Sequence, residues 1–291
     1  MSCHPTIPRI QPSRIVSNRR VGPGWYVLRL EEPTLARSSK PGQFVQIRCS
    51  EGESFDPLLR RPFSVYRVDR KQATYDILYT TVGRGTRWMA ALPAGPGENS
   101  PGESGNGTVD VEGPFGNTFT SPGPDDAVYL VGGGVGVAPL YFLADEILAA
   151  TKPPRITLCM GARTRDQLQG IEDFRKLPLR SLTATDDGSE GYHGRVTELC
   201  AKLIEEEPKP GRIRVYGCGP QGMNESLRAL AVARSLRCEI CLEALMACGF
   251  GVCFGCVLPI RKEVQGDFYN RRTCWEGPVF DARLLYPGIE G

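Results

Sequence analysis

Residues 127–140 read Ala-Val-Tyr-Leu-Val-Gly-Gly-Gly-Val-Gly-Val-Ala-Pro-Leu, an apolar run that passes through a glycine-rich turn into a helix-compatible stretch. A short, continuous apolar run is typical of a strand buried on both faces of a parallel sheet. Glycines allow a tight turn, and the start of a helix directs free backbone N–H groups at a phosphate. The stretch predicts an α/β domain with nucleotide contacts at Gly132, Gly133, Gly134 and Gly136. A tight structural turn without a ligand is the alternative, because Pro139 stands where the G-x-G-x-x-G fingerprint has its third glycine.

A second loop of the same kind follows later in the chain. Residues 218–223, Cys-Gly-Pro-Gln-Gly-Met, come after a strand candidate at 213–216 and open a helical stretch at 223–234. Two such loops at one edge of a parallel sheet are where the two ends of a dinucleotide would bind. We therefore expect Gly219 and Pro220 to contact the nucleotide as well.

Strands and helices alternate through this part of the sequence. A strand candidate at 156–160 and a helical stretch near 196–204 complete the alternation, which predicts a parallel sheet covered on both faces over residues 125–235. The strand candidate at 156–160 ends without the acidic residue that usually binds the ribose of NAD. Arg163 and Arg165 either accept the 2′-phosphate of NADP or form a solvated face, so the residues leave this choice open.

The N-terminal part, residues 1–124, has a different pattern. β-Branched and aromatic segments alternate with turn residues there, at 26–30, 44–48, 63–68 and 75–79. Regular spacing of this kind predicts a small antiparallel barrel. The Pro- and Gly-rich stretch 93–107 has the composition of a solvated loop inserted in that barrel.

Cysteines mark the C-terminal part. Six of the eleven cysteines fall between residues 238 and 274. Cys248-x4-Cys253-x2-Cys256, followed after 17 residues by Cys274, fits the plant-type spacing of a [2Fe–2S] cluster. The intervening glycines let the backbone wrap closely, so that N–H groups can point at sulfur atoms. The sequence predicts four thiolate ligands in a small module over residues 236–291.

Two alternatives to this cluster remain open. Cys238-x2-Cys241 together with Cys253-x2-Cys256 has the ligand types of a zinc site, and the cysteines need not bind a metal at all. The zinc interpretation leaves Cys248 and Cys274 without a role. It also uses two cysteines of a strand-like segment, 236–242, in which cysteine serves as a small apolar filler.

Composition excludes several classes of function. A net charge of +2 and a pI of about 8.0 give no electrostatic case for nucleic acid or a membrane surface. No apolar run reaches the ~18 residues that span a bilayer, and the first residues do not resemble a signal peptide, which predicts a cytoplasmic protein. With His4 and His193 as the only histidines, His-rich metal sites and a Ser/His/Asp hydrolase are excluded.

Arg61-Pro62-Phe63-Ser64 lies in the barrel region, and Leu78-Tyr79-Thr80 and Gly85-Thr86 follow it. By itself this motif is only a charged residue before a strand. Together with the glycine-rich turn and the Cys-Gly-Pro loop, however, the chain resembles the ferredoxin–NADP reductase superfamily. With the C-terminal cysteines added, it resembles the electron-transfer subunits of NAD-dependent type B dihydroorotate dehydrogenases. The resemblance covers nearly the whole chain, including residues 113–117, 185–189 and 274–280.

The resemblance implies a multidomain α+β protein with an FAD-binding antiparallel barrel, an α/β nucleotide domain and a [2Fe–2S] module. It implies NAD as the nucleotide and Cys218 as a residue near the nicotinamide. The flavin contacts that it implies are Arg61, Pro62, Phe63, Ser64, Leu78, Tyr79, Thr80, Gly85 and Thr86.

The function that the resemblance implies is electron transfer in pyrimidine biosynthesis. The chain would pass electrons between NAD and an FMN-containing catalytic subunit that oxidises dihydroorotate, in a heterotetramer. A subunit of a ferredoxin-dependent or electron-bifurcating NAD(P) oxidoreductase has the same three modules and is the alternative within this class. A zinc-stabilised assembly protein without enzymatic activity is the alternative from another class.

Overall fold

The chain folds into a closed six-stranded barrel followed by a seven-stranded sheet. The computed structural model describes residues 9–50, 54–92, 107–208 and 210–288. The strands of the barrel are all antiparallel and run in the order β1-β2-β5-β4-β3-β6. Its elements are β1 Arg9–Gly22, β2 Trp25–Glu31, α1 Pro33–Ser38, β3 Phe44–Ile47, β4 Arg61–Asp69, β5 Thr74–Thr80, α2 Arg84–Ala90 and β6 Thr108–Phe115.

Alternate residues of strand β3 serve two different parts of the molecule. Val45 and Ile47 belong to the apolar core of the barrel. Phe44 instead packs with Cys256 and Cys274 in a separate small cluster of buried residues. Because successive side chains of a strand point to opposite faces, one face of β3 fills the barrel and the other meets the C-terminal module.

The second half of the chain forms the sheet, with strands in the order β10-β9-β8-β7-β11-β12-β15. Every neighbouring pair is parallel except the last, β12 with β15. A separate antiparallel hairpin pairs β13 with β14. The elements are β7 Ala127–Gly133, α3 Val137–Leu148, β8 Arg155–Ala162, α4 Ile171–Arg175, β9 Arg180–Thr185, β10 Tyr192–His193, α5 Val196–Glu205, β11 Ile213–Cys218, α6 Gln221–Ala233, β12 Arg237–Cys241, β13 Val257–Arg261, β14 Phe268–Arg272 and β15 Val279–Asp281.

Helices cover both faces of this sheet, as the sequence predicts. Leu140 of α3 packs with Leu130 and Leu158 on one face. Cys200 of α5 and Leu227 of α6 pack on the other face, in the cluster that contains Val131 and Val215. The apolar run at the start of the domain becomes β7, which is buried along its whole length because it lies between helices on both sides.

The predicted fold class is confirmed, with additions. The sequence patterns did not predict β1 and β6, which close the barrel, and the helix expected from residue 139 begins at Val137. The boundary between 235 and 236 stays a prediction, although β12 directly after it pairs with β11 within the sheet. Residues 93–106 of the predicted loop lie outside the described residues. Among the helices of the described part, none is long and apolar enough to cross a membrane.

Candidate functional site

The two loops predicted to bind a nucleotide meet at one edge of the sheet. β7 and β11 are adjacent parallel strands, and Gly132 at the end of one pairs with Cys218 at the end of the other. From β7 the chain builds the sheet in one direction through β8, and it then returns to add β11 on the opposite side. The crevice at such a reversal of strand order is the usual ligand site of a parallel α/β sheet.

A cavity of about 910 Å³ opens at this edge. Gly133, Gly134 and Pro220 line it, and Gly219 lines a smaller cavity next to it. Gly136 lies underneath, where a Cβ atom would come within 2.6 Å of the backbone nitrogen of Gly219. The remaining glycine, Gly132, lies on the inner side of the turn, where a Cβ would be 3.0 Å from side-chain atoms of Val137 and Leu140. The structure thus brings the predicted loops together around a space of suitable size for a dinucleotide.

Sequence reasoning missed several residues of this cavity. Trp25 of the barrel, Arg195 and Thr197 at the start of α5, and Asp186 after β9 also line it. Arg163, which sequence analysis singled out for its charge, lines it too. The signal that could have found Asp186 and Arg195 is their position, since each lies just beyond the carboxyl end of a strand of the sheet.

Cys218 is buried at the end of β11. The neighbouring thiol of Cys241 and burial together hold the pKa of the Cys218 thiol well above its ordinary value, so the thiol stays protonated at neutral pH. Cys241 in turn lines a third cavity, described next. The proximity of Cys218 to a bound nicotinamide stays a prediction.

The residues predicted to contact a flavin surround a cavity of about 400 Å³. Of those nine residues, seven line it: Pro62, Phe63, Ser64, Leu78, Tyr79, Thr80 and Thr86. The other two, Arg61 and Gly85, are close to each other, since a Cβ on Gly85 would lie 3.5 Å from Cγ of Arg61. The aromatic and apolar wall and the volume suit a planar ring system.

All three parts of the molecule border this flavin cavity. The barrel supplies the residues just named, and the nucleotide turn supplies Val135 and Ala138. Ala244 and Met246, from the segment that leads to the cysteine loop, form a further wall. A group bound here would touch the nucleotide edge on one side and the cysteine module on the other.

An ionic contact joins the barrel to the sheet beside this cavity. The hydroxyl of Tyr66 on β4 donates a hydrogen bond to the carboxylate of Asp173 on α4, at 2.7 Å. Arg67 is 3.2 Å from the same carboxylate, and Lys176 donates to it at 2.9 Å. Burial raises the pKa of Asp173, but the hydrogen bonds from Lys176 and Tyr66 and the charge of Arg67 outweigh it, so the pKa is lowered.

The four cysteines of the plant-type spacing lie together as two pairs. Cys248 and Cys253 are in side-chain contact, and so are Cys256 and Cys274. In the described residues, no group of three or more His, Cys, Asp or Glu side chains is arranged to hold a single metal ion. Two pairs of thiols are the donor set of a two-iron cluster, in which each iron takes two protein ligands.

Backbone N–H groups point at these sulfur atoms. The N–H of Cys253 faces Sγ of Cys248 at 3.5 Å, and the N–H of Gly255 faces Sγ of Cys253 at 3.3 Å. Burial raises the pKa of the Cys248 thiol, but the N–H groups of Cys253, Phe250 and Val252 outweigh it and bring the pKa to about 7. These contacts favour the thiolate, which is the form that binds iron.

The alternative zinc set does not assemble. Cys238 and Cys241 lie on β12, each in the apolar core on a different face of the sheet. Both are buried, and burial raises the pKa of the Cys238 thiol above its ordinary value. Cys238 and Cys241 are therefore small apolar residues of the sheet core, as sequence analysis described for segment 236–242.

Arg272, at the end of β14, holds the cysteine loop in place. Its guanidinium makes a bidentate pair with the carboxylate of Glu276, at 2.8 and 3.1 Å. It also donates to the backbone oxygen of Gly251 at 2.9 Å and lies 4.9 Å from the ring centre of Phe254. One side chain therefore connects the loop of the first three cysteines to the turn that carries Cys274.

Asn117 connects the same turn to the barrel. Its side-chain nitrogen donates to the backbone oxygens of Glu276 and Val279, and its side-chain oxygen accepts from the N–H of Val279. Asn117 lies two residues after Phe115, the final residue of the last barrel strand. The cysteine module is therefore fixed to the barrel as well as to the sheet.

The comparisons with known proteins agree with these sites. A family model described as the iron-sulfur cluster binding domain of dihydroorotate dehydrogenase B matches residues 243–286, and one described as an oxidoreductase NAD-binding domain matches residues 130–229. The chain is 34% identical to the dihydroorotate dehydrogenase B (NAD(+)), electron transfer subunit, of Desulforamulus reducens, over 94% of this chain and 97% of that protein. It is 36% identical to the same subunit of Bacillus caldolyticus, over 92% and 95%.

Solved structures share the fold. The NADH-dependent reduced ferredoxin-NADP oxidoreductase, a structure described for flavin-based electron bifurcation, superposes with a TM-score of 0.77 at 27% identity, over 94% of this chain and 90% of that chain. A ferredoxin NADP+ reductase from Neisseria gonorrhoeae with bound FAD and NADP has a TM-score of 0.63 at 18% identity, over 77% and 91%. The sequence relatives, which match along nearly their whole length, decide the assignment: the chain belongs to the family of dihydroorotate dehydrogenase B electron transfer subunits.

Proposed function

We propose that this chain passes electrons between NAD and a separate catalytic subunit that oxidises dihydroorotate in pyrimidine biosynthesis. The observation that carries the proposal is the continuity of the three sites. The flavin cavity is bordered by Val135 of the nucleotide turn, and it shares Phe44 and Met246 with the apolar cluster around Cys256 and Cys274. The cofactors of this chain are NAD, FAD and a [2Fe–2S] cluster.

The chemistry divides between the cofactors and the chain. When bound, FAD exchanges a hydride with the nicotinamide and single electrons with the iron–sulfur cluster. The residues of this chain bind and orient these groups, and the apolar walls of the flavin cavity exclude water. The one titratable side chain on those walls besides Tyr79 and Cys241 is Glu243, among the described residues. A subunit that only moves electrons needs no acid or base for dihydroorotate.

The residues that we assign to each cofactor are those of the sequence analysis. Arg61 and Gly85, with the seven predicted residues that line the flavin cavity, hold FAD. The glycine-rich turn, Gly219 and Pro220 hold NAD, and Cys218 lies near the nicotinamide at the end of β11. The cluster would be held by Cys248, Cys253, Cys256 and Cys274, whose thiols lie as two pairs. The thiol pairs and the N–H groups directed at sulfur support this ligand assignment.

The catalytic partner that we propose contains FMN, and the two subunits form a cytoplasmic heterotetramer. Support comes from the name of the relatives, electron transfer subunit, which requires a second subunit for the reaction with substrate. Support also comes from the exposed apolar side chains of the cysteine loop, Val252 and Phe254, since clusters exchange electrons only over short distances.

Co-purification of the chain with its catalytic partner from the native host tests the proposal. We expect the complex to couple oxidation of dihydroorotate to reduction of NAD+ and to release FAD and FMN on denaturation. We also expect the EPR signal of a reduced [2Fe–2S] cluster. A complex that reduces NAD(P)+ only with reduced ferredoxin would instead assign the chain to the bifurcating class that shares its fold. A colourless chain that contains zinc would contradict both assignments.

A further inference from the structure

Gln46 carries a buried amide group that the described part of the chain does not satisfy. It lies in the middle of β3 and is fully buried. Within the described residues, neither its side-chain oxygen nor its side-chain nitrogen has a hydrogen-bond partner. An unpaired buried amide is costly, and folded proteins rarely retain one unless another group satisfies it. The amide of Gln46 therefore requires a hydrogen-bond partner beyond the described residues.

The position of the side chain shows on which side that partner lies. Gln46 alternates with Val45 and Ile47 of the barrel core, so it shares the outer face of β3 with Phe44. A Cβ atom on Gly249 would lie 2.9 Å from Cδ of Gln46 and closer still to its side-chain nitrogen. Gly249 has a φ of +77°, a conformation that favours glycine, and it directly follows Cys248. The amide is thus packed against the first turn of the cysteine loop.

The flavin is the alternative partner for this amide, and the lining of its cavity argues against it. Phe44 and Pro62 line that cavity, and Pro62 is the residue paired with Gln46 across the sheet. Among the described residues that line the cavity, Gln46 itself is absent. Its side chain leaves the strand on the side of Gly249, the residue that follows Cys248.

We propose that the side-chain N–H of Gln46 donates a hydrogen bond to a sulfur atom at the Cys248 corner of the [2Fe–2S] cluster. This inference rests on the proposed cysteine ligands. Reduction of the cluster adds negative charge to its sulfur atoms, so a donor held beside them stabilises the reduced form more than the oxidised form. Gln46 thus raises the reduction potential of the cluster, and it lies on the strand whose Phe44 also lines the flavin cavity.

The test is an anaerobic redox titration of the purified chain with both cofactors bound. The substitution is Gln46→Met, which keeps the length of the side chain and removes both N–H donors. We expect the one-electron equilibrium for reduction of the cluster to fall about tenfold, which is about 59 mV toward lower potential. The EPR signal reports the cluster and the visible absorbance reports FAD, whose potential we expect to stay the same.

Gln43→Leu is the matched control. Its amide also lies next to β3, but it donates to the backbone oxygen of Gly116 at 2.9 Å. This variant should leave the potential of the cluster unchanged. If Gln46→Met also leaves it unchanged, or shifts the potential of FAD instead, the proposed role of Gln46 is wrong. If the wild-type chain itself shows no [2Fe–2S] signal, the cysteine ligands of the proposed function are wrong.

A second measurement does not depend on a variant that folds. Glutamine labelled with 15N in the side chain should give a 15N coupling to the reduced cluster in pulsed EPR of the wild-type protein. Gln46→Met should remove that coupling, and Gln43→Leu should not. A wild-type spectrum without the coupling would overturn the proposal even if Gln46→Met cannot be prepared.

Discussion

The nucleotide edge of the sheet and the cysteine loop are built by different means. At the edge, β7 and β11 pair along their length as far as Gly132 and Cys218, and two apolar cores lie beneath them. The loop between Cys248 and Cys256 contains no strand or helix, and Val252 and Phe254 in it are 69% and 58% exposed. The edge takes its shape from the fold itself. The loop is held mainly by N–H groups directed at sulfur and by Arg272, so the bound cluster completes it.

Loss of one proposed cluster ligand should have the largest effect, and it should affect the loop without affecting the edge. Cys253 is exposed, so Cys253→Ser removes a thiolate without disturbing a core. We expect complete loss of the [2Fe–2S] EPR signal, whereas FAD stays bound at an unchanged ratio because the nine residues predicted to contact it all belong to the barrel. EPR of the reduced protein and the FAD content after denaturation measure the two effects.

Cys238→Ala provides the control among the cysteines. Cys238 is buried in the sheet, so the change should cost about 1 kcal/mol of the free energy of unfolding and leave the cluster intact. A wild-type chain without the [2Fe–2S] signal, whose bound zinc is lost in both Cys238→Ala and Cys253→Ser, would restore the zinc interpretation.

Gly136→Ala should damage the nucleotide edge and spare the loop. The new Cβ would meet the backbone carbonyl of Cys218 and lie 2.6 Å from the nitrogen of Gly219, so the two nucleotide loops must move apart. We expect a loss of about 1–3 kcal/mol in the free energy of unfolding and at least about tenfold weaker binding of NADH. Denaturant unfolding and titration with NADH measure these changes.

Gly222→Ala is the matched substitution in the second loop. Gly222 lies in the first turn of α6, and a Cβ there meets nothing within 4 Å. Alanine in place of a helical glycine should stabilise the protein by up to about 1 kcal/mol. If Gly136→Ala is as stable as Gly222→Ala, the close contact between the two loops is not a fixed feature of the edge.

Sequence patterns predicted the nucleotide edge well because the residues that specify it are neighbours in sequence. The apolar run at 127–131 and the glycines after it specify a buried strand and a turn without reference to the rest of the chain.

Strand β1 was missed because two of its buried positions are polar. Ser13 and Asn18 point inward and hydrogen-bond the hydroxyls of Tyr75 and Tyr79, an arrangement that hydrophobic alternation cannot reveal.

The spacing of the cysteines predicted four ligands, an assignment that stays a prediction, but it did not predict what holds the loop. Arg272 and Asn117 act through backbone oxygens of other segments, and those contacts exist only once the chain has folded. Gln46 read as one polar residue in an otherwise apolar strand. Its importance comes from Gly249, which is distant in sequence and packs directly upon it.

Arg272→Lys should loosen the loop to an intermediate degree. Lysine keeps the charge but cannot form the bidentate pair with Glu276 and also reach the backbone oxygen of Gly251. Because groups that support metal ligands typically affect affinity by ~10-fold or more, we expect about tenfold faster loss of the cluster to a chelator. The decay of visible absorbance in excess chelator measures the rate.

Arg261→Lys is the control in the same hairpin. Arg261 also lies over an aromatic ring, Phe268 at 4.5 Å, and donates to the backbone oxygen of Val264. It makes no bond to the cysteine loop in the described structure, so its replacement should leave the rate unchanged. Equal rates for both lysine variants would mean that the pair with Glu276 does not hold the loop.

Asp173→Asn should have the smallest effect, and its dependence on pH gives the test. The folded pKa of Asp173 is lowered, so its ionised form stabilises the contact between barrel and sheet above the unfolded pKa, about 3.9. That contribution is lost as the pH falls through the lower, folded pKa. We expect Asp173→Asn to cost at most about 1 kcal/mol at pH 7, with the difference from wild type shrinking below about pH 4.

Urea unfolding at several pH values, followed by tryptophan fluorescence, measures this difference. Asp125→Asn is the control, because Asp125 is exposed and its pair with Arg212 spans 3.3 Å at the surface. It should change little at any pH. A difference for Asp173→Asn that stays constant with pH would mean that Tyr66 and Asp173 hold the barrel against the sheet by shape rather than by charge. In either case the EPR signal should not change at neutral pH, because this contact lies between β4 and α4 and involves no residue of the cysteine module.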